Sequence, residues 1–262
     1  MLRTLKIVLA YDGTRLVGWQ RQADGPSVQG LLEGALAEVE GRAVAVVGAG
    51  RTDAGVHALG QVASCRLDHP LPVDPLRRAL NAKLPADVRV LDIEEVDPGF
   101  HARYSARSKT YRYMMQRAEI ANPFGRGFVW SVPHPLDVDQ MASAALALEG
   151  RHDFAAFQGA GSSPRTTVRT VLRSRVREAT VDEVLGVALR PARDAGAKLV
   201  VYEIEGDGFL RHMVRNIVGS LVEIGARRRP TPWFASVLAS GDRARAGATA
   251  PAAGLFLVRV DY

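Results

Sequence analysis

Gly48-Ala49-Gly50-Arg51-Thr52-Asp53-Ala54-Gly55-Val56-His57-Ala58 interrupts an otherwise apolar part of the chain with a charged, glycine-rich segment. Val44 to Val47 before it reads as a buried strand and Gly60 to Leu67 after it as another, so the segment is a loop that leaves a sheet and returns to it. Glycines at 48, 50 and 55 let backbone approach a ligand closely, and one carboxylate, Asp53, stands between Arg51 and His57. Function concentrates on loops held by a rigid sheet, which makes this one the candidate working end.

The elements around it are expected to alternate. Leu5 to Tyr11 reads as a strand closed by Asp12-Gly13, and Pro26-Ser27 opens a helix whose apolar residues Val28, Leu31, Leu32, Ala35, Leu36 and Val39 recur at helical spacing. Asp74-Pro75 reads as an N-cap followed by proline at the first helical position, starting a helix that must end before Pro85, and Val88 to Val96 reads as a strand. After a linker at 97–105, strands are expected at Thr110 to Gln116, Thr167 to Arg177, Val184 to Arg190, Lys198 to Ile204 and Leu255 to Val260. Helices are expected from Asp137 through Met141, Ala145 and Leu148, from Leu210 to Ile224 with Gly225 as the stop, and from Thr231-Pro232. The pattern implies an α+β protein of two related split βαββαβ-type halves, residues 1–105 and 106–262, with mainly antiparallel or mixed sheets. A basic cleft between such halves is a natural seat for folded nucleic acid.

Composition narrows the class. With 262 residues, 47% hydrophobic and 24% charged, the chain can bury a sizeable core and shows no signature of disorder. No apolar run approaches the length of a membrane span and no signal peptide precedes the first strand, so a cytoplasmic location is expected. The lone cysteine, Cys65, leaves no disulfide framework or thiolate metal cluster and reads as a small buried apolar residue. The formal charge is +6, and 30 of the 34 basic residues are arginines. Guanidinium forks onto phosphate and stacks on bases, so the excess fits a polyanionic partner; codon bias in a GC-rich genome would produce it too.

Familiar catalytic devices are absent. The glycines of the focal loop do not fit a dinucleotide fingerprint, there is no phosphate-loop lysine, no two histidines have metal-ligand spacing, and no serine sits in a nucleophile elbow. Neither metal nor organic cofactor is expected. What remains is Asp53: an arginine two residues away favours its ionised form, as a nucleophile or base requires, although an aspartate capping a turn beside a surface partner would look the same. A second cluster is Lys109-Thr110-Tyr111-Arg112-Tyr113, in which a strand would put Tyr111 and Tyr113 on one face and Arg112 on the other. Its tyrosines are either platforms for a base or core residues. A third is Phe209-Leu210-Arg211-His212-Met213-Val214-Arg215-Asn216, where Arg215 falls near the buried side of an apolar helix and calls for an anionic partner. The run Arg227-Arg228-Arg229 reads by default as a solvated helix end, with a phosphate clamp as the alternative.

Together these segments resemble the tRNA pseudouridine synthase A family. The match is carried by Gly50 to Ala58 and by His212-Met213-Val214-Arg215-Asn216-Ile217-Val218-Gly219, both highly specific. Individually weaker matches are Tyr11-Asp12-Gly13-Thr14, Phe100 to Ala106, Tyr111-Arg112-Tyr113, Asp153 to Phe157, Val168-Arg169-Thr170 and Ala250 to Leu255. The resemblance implies a pseudouridine synthase fold and a cofactor-free homodimer that isomerises uridines of the tRNA anticodon stem-loop. It implies Asp53 as the catalytic carboxylate, Tyr111 as the ring stacked on the target base and Arg215 as the carboxylate's basic partner. Arg51 matches the arginine associated with base extrusion, and His57 joins the substrate-binding set. All are expected to meet in one cleft. A tRNA-binding or folding protein without catalysis, and an N-glycosidase using Asp53, are the alternatives. Arg211 stands where aromatic or histidine residues are common in the family.

Overall fold

The computed structural model describes residues 2–120, 123–161, 164–180 and 198–262 and divides into two compact units: Met1–Lys109 with Phe256–Tyr262, and Thr110–Leu255. Both are mixed α and β.

In the first unit, strand β1 (Arg3–Tyr11) leads to helix α1 (Val28–Glu40), the two-residue strand β2 (Val47–Gly48), strand β3 (His57–Leu67), helix α2 (Val73–Lys83) and strand β4 (Val88–Val96). β1 lies antiparallel between β3 and β4, β2 pairs antiparallel with β3, and β10 (Leu255–Asp261) joins the other side of β3 in parallel. Alternation fixes the register: Leu5, Ile7 and Leu9 are fully buried, and a one-residue slip would carry all three to the opposite face. Full burial of each stabilises the unit by about 1.5–3 kcal/mol. On that opposite face Val8, Phe100, Val260 and Tyr262 pack around Ala49, Val62 and Ala102. Cys65 is buried in β3, where desolvation pushes its thiol up to about 12, as an inert core residue requires.

The sequence signals that are local come out close to expectation. Ser27 caps α1 by accepting from Gly30 N–H at 3.2 Å, a bond worth about 1 kcal/mol, and Gly41 ends it at φ 77°. Three expectations need correction. Val44 to Val46 is not a strand: Val44 and Val46 are buried in alternation, but Gln29 and Glu33 of α1 bond Val46 O and Val46 N–H at 3.1 and 3.2 Å, taking backbone groups a strand partner would use. β3 begins at His57 rather than Gly60, because Phe256 and Leu257 of β10 pair with His57 and Ala58. Asp74 is not the N-cap of α2; Pro72 is, with Leu76 N–H donating to Pro72 O at 2.9 Å, so Asp74 sits in the first turn, where a carboxylate suits the helix dipole.

The second unit holds strand β5 (Ser108–Arg117, continuing from the first unit), strand β6 (Trp130–Val132), helix α3 (Val138–Leu146), strands β7 (Gly150–Asp153), β8 (Val168–Thr180) and β9 (Lys198–Gly206), and helices α4 (Met213–Gly225) and α5 (Thr231–Ser240). The sheet order is β5-β9-β8-β7, with β6 parallel to β5 and β8 antiparallel to both neighbours. The strand expected at Val184 to Arg190 lies outside the described residues. α4 starts three residues later than periodicity suggests, because His212 takes φ 58° and forms a left-handed corner. Its end is also displaced: Gly225 is still helical, and Arg227 adopts the left-handed conformation that closes it. Among the described residues no helix is long and apolar enough to cross a membrane.

Candidate active site

The focal loop is built backbone on backbone. Asp53 O accepts from Val56 N–H at 3.1 Å, closing a four-residue turn in which Gly55 supplies the positive φ of 76°. Trp19 N–H donates to Thr52 O at 3.1 Å, and Gly55 N–H donates to Leu16 O at 3.4 Å. The segment Gly13–Trp19 therefore lines the loop from behind, and it does so at a separation only glycine permits. A Cβ on Gly18, already at φ 106°, would stand 2.5 Å from Thr52 O, and one on Gly13 would overlap Val56 O.

Beneath the loop runs a polar layer that no motif announces. Tyr11 Oη and Thr52 Oγ1 share a hydrogen bond of 2.8 Å, while Gln61 Nε2 donates to Gly50 O at 3.1 Å and to Tyr11 Oη at 3.4 Å. Tyr11, Thr52 and Gln61 are all buried. Burial pushes the Tyr11 phenol up to about 12, so it is a fixed neutral donor or acceptor across the physiological range. The only sequence trace of this layer is a polar residue, Gln61, in an apolar strand. Lys109, 9% exposed, runs its stem past Gly50.

The titratable residues of the loop occupy distinct positions. Asp53 is half-buried at the corner of the turn and Arg51 is exposed. His57, expected to touch substrate, is 1% exposed. Its ring stacks on Phe256 at 4.6 Å, its Nδ1 accepts from Gly13 N–H at 3.0 Å, and Asp12 Oδ1 lies 3.2 Å from the same atom. Asp12 Oδ1 is already satisfied by Thr14 N–H and Oγ1 at 2.9 and 2.6 Å, so the Gly13 bond sets the role of Nδ1 as acceptor. His57 thus ties the glycine segment to the start of β3.

In the second unit the two other sequence clusters come together. Tyr111, 7% exposed, meets Phe209 edge to face at 4.9 Å. Tyr113 is fully buried and donates its hydroxyl to Pro251 O at 2.7 Å; burial raises its pKa far above the usual range against the lowering field of Arg215. Arg112 takes the other face of β5, as strand geometry requires, and forks onto Glu203 Oε1 at 2.8 and 3.0 Å. Arg215 is half-buried in the first turn of α4 and its Nε donates to Ala250 O at 2.7 Å, while Ala250 N–H returns a bond of 3.1 Å to Arg215 O.

Segment 243–250 that presents Ala250 is held on α4 by buried polar side chains. Asn216, fully buried, donates to Phe157 O at 2.8 Å and accepts from Arg243 at 3.1 Å and from Thr249 Oγ1 at 2.6 Å. Ser220 Oγ accepts from Gly247 N–H at 2.8 Å. Sequence reading missed this layer; its signal was an asparagine and a serine one turn apart on the apolar side of the helix. Among the described residues no three His, Cys, Asp or Glu side chains converge as a metal site would need.

The model of the tRNA pseudouridine synthase family matches residues 7–105 and 144–262, with β5, β6 and most of α3 in the interval between. The tRNA pseudouridine synthase A of Myxococcus xanthus is 45% identical over 98% of this chain and 91% of that protein. Those of Solibacter usitatus (44%, all of both chains) and Moorella thermoacetica (45%, 98% of this chain and 99% of that protein) are similar to it to the same degree. Identity of this extent along the whole length, with the family model covering most of the chain, establishes that it belongs to the tRNA pseudouridine synthase family.

Proposed function

We propose that this protein is an isomerase that converts uridines in the anticodon stem-loop of tRNA to pseudouridine, with Asp53 as the catalytic carboxylate and no metal or organic cofactor. The observation that carries the reading is the setting of Asp53, a half-buried carboxylate at the corner of a turn whose backbone is bonded to Leu16 and Trp19 behind it. A residue fixed in that way meets the positional tolerance of catalysis, where a misplacement of about 1 Å costs about 100-fold.

The reaction breaks the bond from C1′ to N1 and makes one from C1′ to C5; N1 gains a proton and C5 loses one, so atoms balance without a co-reactant. The uracil must be taken out of the helical stack, detached, turned and reattached. In this reading Tyr111 provides the face on which the base rests, Arg215 is the cationic partner of the carboxylate, and Arg51, exposed beside Asp53, contacts the RNA backbone as the base leaves the stack. His57 acts as a positioning residue, holding Gly13 beneath the loop. Asp53 attacking the sugar, adding to the base, or removing a ribose proton all require the same ionised carboxylate. The reading extends to a homodimer in the cytoplasm and to two related halves flanking a basic cleft, which the net charge of +6 and the arginine excess support.

The test is incubation of the purified protein with an unmodified tRNA transcript, followed by nucleoside mass spectrometry and position mapping. Pseudouridine in the anticodon stem-loop is the expected product. Free uracil would make the protein a glycosidase, and bound but unchanged tRNA would make it a silent binder; either outcome refutes the proposal.

A further inference from the structure

The end of α4 carries more positive charge than its helix needs. Arg227 N–H donates to Ile224 O at 2.8 Å and Arg228 N–H to Glu223 O at 2.9 Å, the paired bonds of a Schellman cap, with Arg227 at φ 58° where glycine is usual. Cations here favour the helix dipole, and two of the three arginines have acidic partners. Arg227 Nη2 lies 3.0 Å from Asp137 Oδ2, and Arg228 forks onto both oxygens of Glu223 at 2.9 and 3.0 Å. The third, Arg229, is exposed and lies 5.4 Å over the ring of Trp233 in α5. It lines a cavity of about 540 Å³ together with Arg245, which is exposed on the short helical turn Arg243–Arg245, and with Ala246 and Gly247. Neither Arg229 nor Arg245 has a carboxylate within ion-pair distance among the described residues, and the one carboxylate in the lining, Glu223, is occupied by Arg228.

We propose that this cavity is a second RNA contact, in which Arg229 and Arg245 clamp a backbone phosphate with Trp233 as its apolar floor. Two guanidiniums lining one cavity suit a phosphodiester, whose two non-bridging oxygens can accept from both, better than a carboxylate, which one fork satisfies. The contact is distinct from the one at Arg215. Arg215 sits in the first turn of α4 and Arg229 just past its last, a span of about 20 Å for its 13 residues, so a single nucleotide cannot occupy both. This inference rests on tRNA being the substrate and adds to that reading a grip remote from the reacting base.

The experiment measures binding of full-length tRNA transcript against salt for wild type and for the double variant Arg229→Gln/Arg245→Gln. Losing the clamp on one phosphate lowers the slope of log affinity against log salt by about 0.8, so between 50 and 200 mM salt the variant loses about threefold less affinity than wild type. Turnover of saturating tRNA at low salt stays at the wild-type value. Arg229→Lys/Arg245→Lys keeps the slope, since the charges remain. Arg77→Gln, at a half-buried arginine of the first unit, leaves it unchanged. An unaltered slope in the glutamine double variant overturns the clamp, and so does an equal fall in Arg77→Gln, which would mean diffuse attraction. Wild-type protein that makes no pseudouridine refutes the function itself and is scored separately, before any variant is compared.

Discussion

The loop Ala49–His57 and the corner Phe209–Arg215 each carry a residue assigned to the reaction, Asp53 and Arg215, and both turn through a positive φ, at Gly55 and His212 respectively. They are held by opposite means. The loop is fixed by backbone pressed on backbone, Gly13 against Val56 and Gly18 against Thr52, with His57 and Tyr11 as ties. The corner is fixed through side chains: Asn216 gathers Arg243 and Thr249, and through that segment Ala250 reaches Arg215. Contact between main chains leaves no room for a substituent, whereas a network of side-chain bonds loses members one at a time. The loop should therefore fail abruptly and the corner by degrees.

Gly18→Ala is the hardest test of that contrast. The new methyl would meet Thr52 O at 2.5 Å from a backbone conformation that alone costs about 1–2 kcal/mol, so the loop must shift. Pseudouridine formation should drop at least about 100-fold, with a loss of stability in urea titration; activity near wild type would show that the loop is not rigidly seated. Thr249→Val removes one of two donors to Asn216 Oδ1 and leaves Arg243 in place, so a cost of about 1 kcal/mol and a fall in turnover of no more than about tenfold are expected. Collapse of activity there would erase the distinction between the two regions.

Tyr11→Phe reads the polar layer through pH. The phenol is held neutral in the folded chain up to about 12, while the unfolded chain releases its proton near 10. The unfolded state then binds fewer protons between those values, so stability is full below pH 10 and declines as pH rises from 10 towards 12. The phenylalanine variant should show an alkaline decline shallower by about 1.4 kcal/mol per pH unit, the share of one proton; an unchanged profile would place Tyr11 outside the core. The smallest effect is expected from Arg15→Gln, which removes an exposed pair with Asp87 at 2.8 Å and should leave both the unfolding midpoint and activity unaltered.

The same contrast explains what could be read from the chain. β1, the start of α1 and β4 were legible almost to the residue because their signals are local: alternation in Leu5 to Leu9 and a serine cap at Ser27. β3 was misplaced because its first pairs come from Phe256 and Leu257 at the far end of the chain, and Val44 to Val46 because helix side chains substitute for a strand partner. β6 and β7, of three and four residues, are too short for a period to register. At the loop, the glycines and Asp53 stand out, but Tyr11 and Gln61 look like ordinary strand residues until the fold brings them under Thr52 and Gly50. At the corner, Arg215 stands out as a cation on an apolar helix, whereas His212 and Arg227 occupy conformations that favour glycine and asparagine and carry no such mark. Spacing alone took Asp53 to an ionised carboxylate on a loop; its reaction came from the family resemblance.

The proposed chemistry turns on one side chain. Release of tritium from tRNA labelled at C5 of uracil follows loss of the C5 proton directly, and Asp53→Asn alters the carboxylate with almost no change of shape. The expected result is no release above background from a variant that unfolds and binds tRNA like wild type. Release at the wild-type rate from that variant would contradict the assignment of Asp53 and, with it, the proposed mechanism.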